Sequence, residues 1–142
     1  MSGLETGSSP CGQLHFSAPG PLRPVIACLC SQYRKTSGHF LAATSAGRDT
    51  VAIKREVTGY SSSSQARRGF CRVCGSQIFW DDPGENIAIF VRSLDGGIGT
   101  ALAEHIFCAD KGDYYQTNDS LPQAVADDLD LTTQFYKLAV VQ

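Results

Sequence analysis

Short apolar runs broken by glycine, proline and serine predict a mainly β chain with little helix. Three observations carry that expectation. Positions 51–56 alternate apolar and polar residues, as a half-buried strand does. Positions 77–80 and 87–91 are strongly apolar, and Asp81-Asp82-Pro83-Gly84 between them reads as a hairpin-like turn. Turn residues recur at intervals of roughly 8–12 residues, the spacing of many-stranded all-β folds. Taken in order, 1–10 is Gly/Ser-rich and expected to be mobile. Short strands follow at 13–16 and 25–28, on either side of a Pro/Gly loop at 18–24. The next are 40–44 and 51–56, and the serine-rich stretch 59–65 reads as a connection. After the hairpin, Gly96, Gly97 and Gly99 make a flexible loop, and 105–108 is a last short strand. Helix is confined to about one turn at 31–37 and to the C-terminal tail at 124–142, where Leu131, Phe135 and Leu138 recur with near-helical spacing.

Length and charge set the bounds. A chain of 142 residues suits one domain with a modest core, which a structural metal would help to stabilise. The formal net charge is −2 with both signs scattered, so no basic stripe argues for nucleic acid as a partner. Arg67-Arg68 reads as a solvated turn more readily than as a phosphate clamp. No run approaches the roughly 20 apolar residues that cross a bilayer, so no membrane partner is expected. The opening MSGLETGSSP has neither the basic start nor the apolar run of a secretory signal. The cytoplasm is therefore the expected address, where thiols stay reduced and cysteine clusters favour metal over disulfides.

The cysteines carry the chemistry. Five of the six fall in three short clusters: Cys11, the pair Cys28-Leu29-Cys30, and Cys71-Arg72-Val73-Cys74. Two thiolates three positions apart can bind one zinc ion at about 2.3 Å, and Gly75 eases the turn that aims backbone amides at the sulfurs. Distant clusters at turns beside apolar runs can converge into a site built from several strands. The plainer reading of Cys71 and Cys74 is a pair of ordinary thiols, since cysteine often packs as a small hydrophobe. Cys108, beside Ile106 and Phe107, reads as a core thiol. Tyr114-Tyr115 reads as packing, and Asp127, Asp128 and Asp130 as a solvated acidic run. No nucleotide-binding glycine loop, nucleophile elbow or Ser/His/Asp arrangement is present.

Together these blocks resemble the glutathione-dependent formaldehyde-activating enzyme family, also called the centromere-protein-V-type domain. The residues that carry the resemblance are Cys11-Gly12, Cys28-Leu29-Cys30-Ser31, Ser37-Gly38-His39, Phe70-Cys71 through Cys74-Gly75-Ser76, Ser93-Leu94-Asp95 and His105-Ile106-Phe107. They span 9–123, leaving 1–8 and 124–142 outside. The resemblance implies several coiled antiparallel β-sheets around zinc, the β-tent arrangement. It implies a structural zinc at Cys11, Cys71 and Cys74, and a catalytic zinc at Cys28 and Cys30. It also implies a carbon–sulfur lyase acting on a small thiol adduct such as S-hydroxymethylglutathione.

Two positions depart from the family pattern. Ser9 stands where the first cluster has a cysteine, and Tyr33 where the middle cluster has its third. Each inferred zinc site is thus one thiolate short. A neutral imidazole is a good zinc ligand, so His39, and also His105, are candidates to complete the middle site. The plainer reading of His39 is a hydrogen-bonded loop residue. Arg34-Lys35 and Arg48-Asp49 read as surface charges, either able to attract a glutathione-like carboxylate. Three functions follow: a lyase with a depleted catalytic zinc site, a catalytically lapsed zinc-stabilised binding module, or a thiol-redox protein using Cys28 and Cys30 directly.

Overall fold

In the computed structural model, residues 3–55, 57–81 and 84–128 are described. They form a three-stranded sheet and a seven-stranded sheet with one short helix. The small sheet orders β1 (Leu4–Ser8), β2 (His15–Pro19) and β5 (Ala52–Lys54) as β1-β2-β5. The large one runs β10-β3-β4-β9-β8-β7-β6, where β3 is Val25–Cys28, β4 Leu41–Gly47 and β6 Thr58–Ser61. Its other members are β7 (Arg67–Phe70), β8 (Gln77–Asp81), β9 (Asn86–Phe90) and β10 (Leu102–Ile106). The mainly β expectation holds. The sheets are antiparallel except at one pair, where β10 runs parallel to β3.

Local differences have physical reasons. The Gly/Ser-rich start, expected to be mobile, forms β1 at Leu4–Ser8, with Gly7 facing Phe16 and Ser8 facing His15. Strand pairing supplies the backbone hydrogen bonds that composition alone did not suggest. The serine-rich stretch at 59–65 begins inside β6, which pairs with β7 over Thr58↔Phe70 to Ser61↔Arg67. Arg67 and Arg68, expected in a solvated turn, therefore lie within β7 and point to opposite faces. The strand expected at 51–56 shortens to Ala52–Lys54 and is exposed throughout. The helix expected at 31–37 is α1 (Ser31–Ser37), ended by Gly38 at φ 81°, a left-handed conformation that glycine adopts without strain. The Asp82-Pro83 turn and Leu131, Phe135 and Leu138 lie outside the described residues, although β8 and β9 do pair antiparallel.

Two apolar clusters flank the large sheet. On one face Phe16 and Leu14 meet Ile78, Phe79, Ile87 and Ile89, and the Phe16 and Phe79 rings make an edge contact at 5.1 Å. On the other face α1 packs through Tyr33 onto Leu41 and Phe90, with Cys28, Cys30 and Trp80 around them. Register fixes the position of Cys28, which pairs with Leu41 on one side and Ile106 on the other. No helix among the described residues is long and apolar enough to cross a membrane.

Beyond β10 the chain returns along its edge, where His105 N–H donates to Pro122 O at 3.0 Å and Ala124 N–H to His105 O at 2.9 Å. This brings Asp128 against the buried Glu104, whose carboxyl is held above the usual range by burial and by its hydrogen bond to Asp128. A raised folded-state value means stability present at low pH and lost as pH rises through that value. Glu104→Gln is therefore expected to raise the melting temperature by a few degrees at pH 7 and by much less near pH 4. Thermal melts of both proteins across that range check it.

Candidate metal centre and thiol pair

Two tight turns build the first centre. In one, Ser9 N–H donates to Leu14 O at 2.9 Å and Gly12 N–H to Ser9 O at 2.9 Å. In the other, Cys71 N–H donates to Ser76 O at 2.9 Å and Gly75 N–H to Cys71 O at 2.7 Å. Gly12 and Gly75 both sit at φ 79°, so each turn bends where only glycine bends cheaply. The two turns face each other and bring the sulfurs of Cys11, Cys71 and Cys74 within 4.8 Å of one another. Cys11 and Cys71 lie 3.6 Å apart. Ser9 Oγ stands 3.4 Å from Cys11 Sγ and accepts a hydrogen bond from Leu14 N–H at 3.2 Å. The serine thus occupies the corner where a fourth ligand would lie.

Electrostatics suit a cation there. Backbone N–H groups of Cys74 and Val73 and the hydroxyl of Ser9 point at Cys71 and hold its thiol down to about 6. Cys71 is buried while Cys11 and Cys74 are exposed, so a metal would be reached from the solvent side. Three thiolates that close together fit a tetrahedral metal ion, which would neutralise their mutual repulsion.

The second centre lies where β3 hands over to α1. Cys28 ends the strand, Leu29 is buried, and Cys30 caps the helix with extended backbone. The Cys28 thiol donates to the Cys30 sulfur. That hydrogen bond, with backbone N–H groups of Tyr33 and Gln32, draws Cys30 down to about 6, while the same bond and burial hold Cys28 well up. The first turn of the helix supplies those N–H groups because they have no partner within it. Tyr33 fills the third position of the cluster. Its ring meets Phe90 edge-on at 5.5 Å, and burial pushes its phenol up. The Arg68 guanidinium from β7 lies 4.9 Å over the Tyr33 ring. Its charge favours the ionised forms of Cys28, Cys30 and Tyr33 alike.

Neither histidine joins this pair. Among the described residues, the only cluster of three ligand atoms within metal-binding reach is Cys11, Cys71 and Cys74. The His39 ring stacks on Phe40 at 4.5 Å and Tyr115 at 4.3 Å, and its Nδ1 meets the Tyr114 hydroxyl at 3.3 Å. The His105 ring is buried, with Nε2 bonded to Asp119 Oδ2 at 2.8 Å. Two thiols and a neutral phenol do not make a zinc donor set. Cys108 is half-buried in a short 3-10 turn rather than in the core, with its thiol raised by burial. Arg68 is the site residue that sequence reading missed. A usable signal was its alternation with Arg67 on a strand, which turns the two side chains to opposite faces.

Comparison with known proteins places the fold and the family. A crystal structure of a Rhodobacter sphaeroides protein superposes with a TM-score of 0.56 at 21% identity, covering 69% of this chain and 99% of that one. That likeness shows a shared fold. No curated protein matches the chain. The family profile of the glutathione-dependent formaldehyde-activating enzyme matches residues 4–110, more than half of the 142. With both tight turns, the thiol pair and all ten strands inside that span, the chain belongs to the glutathione-dependent formaldehyde-activating enzyme family.

Proposed function

We propose that the protein is a carbon–sulfur lyase that makes or breaks a small thiol adduct of the S-hydroxymethylglutathione kind at Cys28 and Cys30. We further propose that zinc is held structurally by Cys11, Cys71 and Cys74. Family membership supports the reaction class. The observation that carries the location is the polarised thiol pair, with Cys28 donating to Cys30 beside Arg68. Zinc at the first centre would hold the two turns together and so fix the β7–β8 connection that follows Arg68.

The chemistry asked of the second centre is simple. When the adduct breaks, its hydroxyl proton leaves, the carbon–oxygen bond becomes a carbonyl, and the carbon–sulfur electron pair departs on the thiolate. In this reading Cys30 Sγ takes the hydroxyl proton, and the Arg68 charge eases the build-up of negative charge on the leaving sulfur. The reverse sequence forms the adduct. Two-dimensional exchange NMR of formaldehyde with glutathione reads both directions at once. Cys30→Ala is expected to reduce the protein-catalysed exchange by about 100-fold or more, while Cys108→Ala leaves it unchanged. If the wild-type protein adds nothing to the uncatalysed exchange, the lyase reading fails. The binding-module reading, which the tyrosine at the third ligand position favours, then stands in its place. The cytoplasm is the setting this reading takes, since reduced thiols are free there to hold a metal.

A further inference from the structure

Arg68 is held on several sides. Its Nε donates to Ser62 Oγ at 2.9 Å, its Cζ rests 4.9 Å over the Tyr33 ring, and Tyr60 and Trp80 are its cross-strand neighbours. Tyr60 is itself tied to α1, because its hydroxyl accepts from Gln32 Nε2 at 2.7 Å. The guanidinium is thus a rigid part of the wall beside Cys28 and Cys30. Its Nη1 is enclosed with no hydrogen-bond partner among the described residues, while the Tyr33 hydroxyl is hydrogen-bonded to the same guanidinium. The ion pairs found among those residues, Arg48 with Asp81 and His105 with Asp119, do not involve it. A buried guanidinium N–H without an acceptor is costly, and such a donor next to a reacting centre calls for an anion. Arg carries its charge at any working pH and presents its donors in a fixed plane, which suits an oxygen anion.

We propose that Arg68 is the anion-recognising residue of the Cys28–Cys30 centre. Its ligand is a small anionic thiol adduct whose oxygen anion docks on the guanidinium while the sulfur-bearing carbon faces Cys30. The assignment rests on reading Cys28 and Cys30 as the reacting centre. It also answers the missing third thiolate: a fixed cation stands beside a donor set that is too small to hold a metal by itself.

Two alkylating reagents that differ only in charge test this without relying on turnover. Iodoacetate and iodoacetamide react alike, the sulfur forming a bond to the methylene carbon as iodide leaves. The ratio of their rates at one cysteine therefore cancels its ionisation and reports recognition of the carboxylate. Peptide mapping gives that ratio at Cys30, with N-acetylcysteine as the reference thiol. The ratio is expected to be about tenfold higher at Cys30 than in the reference, the scale of one charge-assisted hydrogen bond. Arg68→Gln should return it to the reference value and Arg68→Lys should keep most of it, with circular dichroism confirming the fold of each. Equal ratios in the wild-type protein, or no reaction at Cys30 at all, would overturn the proposal, and neither outcome depends on how a variant folds. Exchange NMR on the same samples separates the two readings. Anion preference without exchange refutes the lyase and keeps Arg68, whereas exchange without anion preference does the reverse.

Discussion

Cys71→Ser is expected to release most of the zinc bound by the protein and to lower its melting temperature by about 10 °C or more. Cys71 is the one buried sulfur of the three, 2% exposed, and 3.6 Å from Cys11. Its thiolate is the one that backbone N–H groups prepare. A serine hydroxyl there stays protonated near neutral pH and cannot replace a thiolate as a ligand. Structural zinc contributes directly to folding free energy. In a domain of this size each kcal/mol lost shifts the melting temperature by roughly 3–5 °C, so even a few kcal/mol are visible. The opposite change should act in the opposite direction. Ser9 Oγ already stands 3.4 Å from Cys11 Sγ and accepts the Leu14 N–H, so a sulfur placed there would complete a tetrahedral set without moving the turn. Ser9→Cys is expected to slow zinc loss to a competing chelator by at least about tenfold. Metal analysis and chelator competition on the three proteins check both arms. Unchanged zinc content and melting in Cys71→Ser would remove the metal from this centre.

The strand pattern was legible because alternation and turn chemistry are local. β3 falls at 25–28 as the sequence suggests, β9 is displaced by one residue, and α1 has the expected bounds. The turn after Cys74 was legible for a similar reason, since Gly75 announces it, whereas the grouping of Cys11 with Cys71 and Cys74 came from the family resemblance. Partners brought by non-local pairing were not. β1 exists because β2 lies beside it, and nothing within 1–10 shows that. The parallel pairing of β10 with β3, which sets Ile106 against Cys28, depends on the fold as a whole. Arg68 is the clearest case. Its neighbours Tyr33, Ser62 and Trp80 come from separate segments, and only the assembled sheet turns a doublet of charges into one exposed arginine and one half-buried over Tyr33. The surroundings of His39 were hidden for the same reason: the aromatic residues Tyr114 and Tyr115, far along the chain, pack against its ring.

Tyr33→Cys is expected to raise zinc from one to two ions per chain and to increase the rate of adduct exchange. Cys30 caps α1 and Tyr33 lies three residues into it, a spacing that returns a side chain to the same face of the helix. A sulfur at position 33 would join Cys28 and Cys30 to make three thiolates, leaving one coordination position for substrate. The substitution also removes a buried ring that packs against Phe90 and under Arg68. Emptying that space costs about 3–5 kcal/mol if nothing moves in. Stability therefore distinguishes the outcomes. Tyr33→Ala makes the same cavity with no ligand, so it should melt well below the wild type and stay at one zinc. Tyr33→Cys should melt low when zinc is withheld and recover when zinc is added, because metal bound only by the folded state stabilises it. Inductively coupled plasma analysis, melts with and without zinc, and exchange NMR give the three readouts. A wild-type protein that already carries two firmly held zinc ions would show that the tyrosine does not deplete the site. A Tyr33→Cys protein that stays at one zinc and melts like Tyr33→Ala would show that the helix start has lost more than a ligand.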